Sequence, residues 1–147
     1  MYEDKPVNPI EELKRADHLV HVSMKYSRTC AVMVNGLLRM ISAIDLAVDS
    51  LLEHYVQAQK IQELPSTRKE KMDLLKSLVP SSFRKYLSMY TTFKIITESE
   101  YRAEHEFRKN VCLTTLGKKQ IVLTQPNLIE YLEKTKEFVK LLEGIKQ

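Results

Sequence analysis

The sequence predicts an all-α chain, an antiparallel bundle of four to five helices forming one domain over residues 1–147. A small β-hairpin or an ordered loop is expected at about 111–124. Three observations carry this. Only 3 Gly and 5 Pro occur in 147 residues, which permits long helices and disfavours a turn-rich sandwich. Apolar residues recur at spacings of three and four along most of the chain. Capping residues stand where those runs begin.

The first helix is predicted to start at Asn8-Pro9, a cap followed by proline at the first helical position. Glu11 and Glu12 suit the positive end of its dipole. Ile10, Leu13, Ala16, Val20 and Met24 give it one apolar face. The pattern breaks at 25–29, where Ser27 or Thr29 can cap a second helix running from about Thr29 to Ile61. Val34, Leu37, Leu38, Ile41, Ile44, Val48, Leu51, Leu52 and Tyr55 make a broad stripe, widened by Met33, Met40, Leu46 and Ala47. A helix apolar nearly all round is enclosed by neighbours or lies in a subunit interface.

Residues 63–67 read as a loop with Ser66 or Thr67 as the next cap. A short helix with Met72, Leu75 and Val79 then runs to Pro80. From Ser82, the series Phe83, Leu87, Tyr90 and Phe93 predicts a helix reaching Phe107. Residues 111–124, rich in β-branched side chains around Gly-Lys-Lys, suit a hairpin or ordered loop. The last helix is expected to start near Asn127 with Glu130 as its capping-box partner, and to bury Leu128, Leu132, Thr135, Val139, Leu142 and Ile145.

Composition excludes several function classes. Asn35, Arg39, Asp45 and Asp49 interrupt the apolar stretch from Cys30 to Leu52, so no membrane span is expected. The first fifteen residues lack a signal-peptide core, which predicts a cytoplasmic protein. Cys30 and Cys112 lack metal-ligand spacing and read as buried free thiols. His18 and His21 share a helix face, but surface or interface histidines are the reading favoured over zinc ligands. No Glu-x-x-His, P-loop, Gly-x-Gly-x-x-Gly, Gly-x-Ser-x-Gly or Cys-x-x-Cys motif occurs, and no metal or cofactor is expected.

Two polar features remain. Asn35, Arg39, Ser42, Asp45, Asp49 and Glu53 form a narrow stripe on the second helix. It reads as a solvent-facing edge or as a partly buried seam, centred on Arg39, Asp45 and Asp49, with Arg102 and Arg15 as candidate partners. The second feature is the segment 108–128, which has no acidic residue. Its Arg108, Lys109, Lys118 and Lys119 equal the net charge of +4 of the whole chain. Such a segment can touch phosphates, or can be a loop kept from edge pairing by its lysines.

The order of these features resembles the HEPN family of nucleotide-binding helical bundles (higher eukaryotes and prokaryotes nucleotide-binding). Tyr26-Ser-Arg-Thr-Cys-Ala31 is similar to the start of that family's second helix. Tyr101-Arg-Ala-Glu-His-Glu-Phe107 resembles a motif ending a later helix, and Glu137-Phe138-Val139 a closing helix. The resemblance implies a homodimer that binds nucleotide or RNA. In ribonuclease members an arginine and a histidine act at the later helix. Here Arg102 and His105 occupy that place, separated only by Ala103 and Glu104, closer than the family's usual spacing.

Three functions follow as expectations. The first is a non-catalytic module binding nucleotide, RNA or a partner protein. The second is a metal-independent ribonuclease of toxin–antitoxin type, with His105 as base, Arg102 as phosphate cation and a nucleotidyltransferase-like partner protein. The third is a structural interaction bundle with no ligand.

Overall fold

A computed structural model describes residues 8–146. Asn8 caps α1 (Pro9–His18), its side chain accepting from the Glu11 amide at 2.9 Å. The helix widens into a π-helical stretch, Leu19–Ser23, and closes with the short α2 (Met24–Tyr26). Leu13, Ala16, Val20 and Met24 are buried as expected, but Ile10 is 54% exposed. It lies in the first turn, and no described element covers its outward side.

Thr29 caps α3 (Cys30–Gln57) by accepting from the Val32 amide. The helix ends four residues before the expected Ile61, in a turn where Gln59 takes φ 61°. It is the axis of the molecule, packed against α1, α4 (Arg68–Leu78), α5 (Arg84–Glu98) and α6 (Gln125–Ile145). Met33, Leu37, Met40, Ile44, Leu51 and Leu52 are fully buried, whereas Leu38 is 47% exposed. By length and composition α3 could cross a bilayer, yet half of its most apolar window is buried against the rest of the chain. That is what a core helix does.

Thr67 caps α4, and Pro80 follows its end, leading through a 3₁₀ turn (Ser81–Phe83) into α5. The expected continuation of α5 to Phe107 is corrected: it stops at Glu98, where Ser99 goes extended and its hydroxyl bonds back to the Ile95 carbonyl. Three strands follow, β1 (Tyr101–Glu104), β2 (Cys112–Thr115) and β3 (Val122–Thr124), as an antiparallel meander in that order. The hairpin at 111–124 is therefore present, extended by a strand on its outer edge. Its inner face buries Leu113 and Leu123, and β1, exposed throughout, presents charge at the edge. The chain is mainly helical with this small sheet.

Helix α6 starts two residues earlier than expected. Thr124 is its cap and Asn127, not Glu130, completes the capping box. Leu128, Leu132, Thr135, Val139 and Leu142 face the core, joined by Phe138.

Candidate nucleic-acid interface

The turn between β1 and β2 holds two of the three non-glycine residues with positive φ among the described residues. His105 and Phe107 both lie in the left-handed region, at φ 56° and 70°. A bulky residue there costs roughly 1–3 kcal/mol and persists only when its surroundings impose it. They do so at the start of α3. The Glu106 carboxylate accepts from the Cys30 amide at 2.8 Å, and the Phe107 amide donates to the Arg28 carbonyl at 2.7 Å. Glu106 thus places negative charge on the positive end of α3 and satisfies one of its free amides. The Arg108 and Val111 amides close the turn onto His105 and Arg108 carbonyls.

This clamp sends the Phe107 ring outward, 74% exposed, on a segment bonded to the one that carries Tyr26, 87% exposed. Burying either ring would have been favourable by about 2 kcal/mol, so their exposure is informative. Arg102, His105, Arg108 and Lys109 lie on the same strand and turn, all exposed. Arg102 pairs with Glu104 at 3.5 Å. Among the described residues, the buried Nε of Arg28 has no hydrogen-bond partner. Exposed aromatic rings with basic side chains on the same segment can stack bases and hold phosphates.

The placement of Arg102 and His105 departs from expectation. They are not three apart on one helix. Arg102 stands on β1 opposite Thr114, and His105 opens the turn. The four basic residues also separate. Because Glu104 pairs with Cys112 and Tyr101 with Thr115, the turn holding Arg108 and Lys109 closes one end of the meander. Lys118 and Lys119 sit in the turn at the other end.

The seam on α3 is partly buried and finds its partners on neighbouring helices. The fully buried carboxylate of Glu12 receives Arg39 at 3.3 Å and Arg15 at 2.8 Å. Asp49 takes both ends of the Arg68 guanidinium, at 2.8 and 3.0 Å, and Lys71 at 3.4 Å. Asp45 accepts from the Tyr90 hydroxyl at 2.7 Å. Arg102 takes no part, whereas Arg15 reaches the seam through Glu12.

Burial pushes the Asp45 carboxyl above its ordinary range, against the Tyr90 bond and the Arg68 charge. Burial acts on Asp49 too, but the Arg68 bonds and charge with Lys71 outweigh it, leaving Asp49 lowered. A carboxyl lowered by folding adds stability above its unfolded value near 3.9, and that stability is lost as pH falls through the folded value. A raised carboxyl does the reverse. Asp49→Asn is therefore expected to cost about 1 kcal/mol at neutral pH. The gap to wild type should close in acid, below the ordinary carboxylate range. Asp45→Asn should cost less, since the amide oxygen still accepts from Tyr90 and no charge is desolvated. Thermal melts of both variants across pH check this, and a larger loss at Asp45 would contradict it.

The thiols sit under the same turn. Cys30 is fully buried with Sγ 3.5 Å from the Cys112 carbonyl oxygen, whereas Cys112 is only half-buried; both are free. Burial, then the Glu106 charge and Cys112, push the Cys30 thiol up to about 11. Its thiolate fraction at neutral pH is about one in ten thousand. Titration of native protein with a disulfide reagent should consume one thiol quickly, at Cys112, and the second only in denaturant. Equal rates would contradict the packing of this turn.

His18 and His21 are exposed, one ending α1 and the other in the π-helical stretch. Among the described residues, no group of three or more His, Cys, Asp or Glu could hold a metal ion. Tyr26, Arg28, Glu106 and Phe107 were not among the residues expected at a site. The signal that could have found Tyr26 is an aromatic in the break between two apolar stripes, near Lys25 and Arg28. No protein family, curated protein or solved structure matches the chain.

Proposed function

We propose that this chain is a non-catalytic module, a helical bundle of HEPN-like kind, that binds single-stranded RNA at the β1–β2 turn. The observation that carries the reading is Phe107, exposed on a left-handed backbone that Glu106 and the Arg28 carbonyl hold in place. Strain maintained to expose an apolar ring is accounted for by a ligand that stacks on it. Arg102, Arg108 and Lys109 supply the phosphate contacts, and Tyr26 a second ring. The packing of α1, α5 and α6 on α3 supports the bundle, and the resemblance noted in the sequence supports the ligand class. The second half of the basic quartet, Lys118 and Lys119, lies outside this site and serves as charge at a sheet end.

The test is binding of fluorescent single-stranded RNA in EDTA, with the RNA recovered afterwards. Saturable binding is expected, weakening with salt at a logarithmic slope of about −2 for three phosphate contacts. The RNA should be intact. Cleavage lost in Arg102→Ala and His105→Ala would instead establish the ribonuclease, and absence of binding at low salt would leave the structural bundle.

A further inference from the structure

A second concavity shares no residue with that turn. It is a groove of about 630 Å³ between α4 and α5, within the size range of small-molecule sites. Arg68, Lys69 and Lys76 of α4 and Arg84 and Lys94 of α5 line it, with Asp73 the sole acid of its wall among the described residues. Arg68 is engaged by Asp49 and Lys94 by Glu98 at 3.2 Å. Among the described residues, Lys69, Lys76 and Arg84 have no carboxylate within ion-pair distance. Three cations without an ion-pair partner, against the one carboxylate of Asp73, leave the concavity net positive and attractive to an anion.

Their arrangement is polarised. Lys76 near the end of α4 and Arg84 at the start of α5 flank the same Pro80 turn, so a guanidinium and an ammonium serve one end of the groove. Lys69 lies two helical turns away, about 10 Å along the axis. Between them the wall offers Met72 and Leu87, the Ser88 hydroxyl and the Asp73 carboxylate. The Thr91 hydroxyl donates to the Leu87 carbonyl, which leaves its oxygen free to accept. Tyr90 is 6% exposed and its hydroxyl is committed to Asp45, so the groove has no aromatic face on which a base could stack.

We infer that this groove binds a small phosphorylated, hydroxyl-bearing molecule of the sugar-phosphate class. Its phosphate lies between Lys76 and Arg84, with its hydroxyls along Asp73, Ser88 and Thr91. The guanidinium gives paired hydrogen bonds to phosphate oxygens, and the ammonium adds a point charge. Asp73 and the two hydroxyls distinguish a sugar phosphate from bare phosphate, because a carboxylate accepts from alcohols and repels a second anion. The Arg68–Asp49–Lys71 cluster ties the start of α4 to α3, so one wall is fixed before any ligand arrives.

The test is calorimetric titration of the full chain with glucose 6-phosphate, inorganic phosphate and glucose at millimolar concentrations. Glucose 6-phosphate is expected to bind, phosphate more weakly and glucose not at all. Lys76→Ala and Arg84→Ala should each weaken binding about 10- to 100-fold with unchanged melting temperature, as their side chains are exposed. Asp73→Asn should narrow the gap between sugar phosphate and phosphate. No heat with either phosphorylated probe, or equal binding by wild type and the two cation variants, would overturn the inference. So would phosphate binding as tightly as glucose 6-phosphate. If Lys76→Ala and Arg84→Ala instead weakened RNA binding alone, the groove would be a path for a nucleic-acid backbone.

Discussion

Phe107→Ala is expected to weaken single-stranded RNA binding by about 5- to 150-fold, the range for losing one base–aromatic stack of about 1–3 kcal/mol. Three-quarters of the ring is exposed, so its removal takes little from the core, and melting should be unchanged within about 0.5 kcal/mol. Phe107→Gly separates the ring from the backbone. Glycine takes φ 70° without steric cost, so the turn becomes easier to form while binding falls as for alanine. Phe107→Tyr keeps the stacking face and should bind within a few-fold of wild type. Affinity that follows the stability of the turn rather than the presence of a ring would mean that Phe107 shapes the site without touching the ligand. Glu106→Gln separates the same roles. It keeps an acceptor for the Cys30 amide but removes the charge at the start of α3, so it should loosen the turn mildly while RNA gains from the lost repulsion.

Phe138→Ala is expected to lower the unfolding free energy by about 3–5 kcal/mol, the usual cost of emptying a buried aromatic site. Phe138 is fully buried on α6, stacked on Tyr86 with centroids 4.9 Å apart and planes within 4°. Phe83 meets its edge at 6.0 Å. These three rings join α6 to the start of α5, and Tyr86 donates its hydroxyl to Glu137 across the same contact. For a chain of this size the loss should lower the melting temperature by roughly 6–20 °C. A double-mutant cycle with Tyr86→Ala should return a coupling of about 0.5–1.5 kcal/mol from the stacked pair. A loss under about 1 kcal/mol would show that α6 and α5 do not meet through these rings.

Element starts were legible where a side chain does the capping. Asn8, Thr29 and Thr67 each accept from a backbone amide three residues on, and that chemistry is written locally. Pro80 stops α4 for an equally local reason. The strand β1 was not legible. Tyr-Arg-Ala-Glu suits a helix as well as a strand, and pairing with β2 decides the outcome. The hairpin was visible in its β-branched residues because both of its strands carry that signal. Ile10 and Leu38 fit the apolar spacing yet lie outside the core, since periodicity fixes a face and only the neighbours determine its width.

The site was the least legible part. Arg108 and Lys109 were singled out by charge, which survives without knowledge of the fold, and Arg102 by the family resemblance. Phe107 was not, because its exposure follows from a left-handed backbone that no glycine or asparagine announces. The partners that impose it, Cys30 and Glu106, are 76 positions apart. The basic groove was missed for a similar reason. Lys69 and Lys76 decorate the polar side of a short amphipathic helix, the ordinary place for lysines, and only the opposing Arg84 makes a concavity of them.

RNA bound as proposed lies on Phe107 and Tyr26. Ultraviolet crosslinking of wild-type protein to labelled single-stranded RNA, followed by mass spectrometry of the digested adducts, reads that placement. Nucleotide adducts are expected on the peptides carrying Phe107 and Tyr26, lost when excess unlabelled RNA competes. Adducts absent from both peptides and found instead along the α4–α5 groove or on the Lys118–Lys119 turn would contradict it.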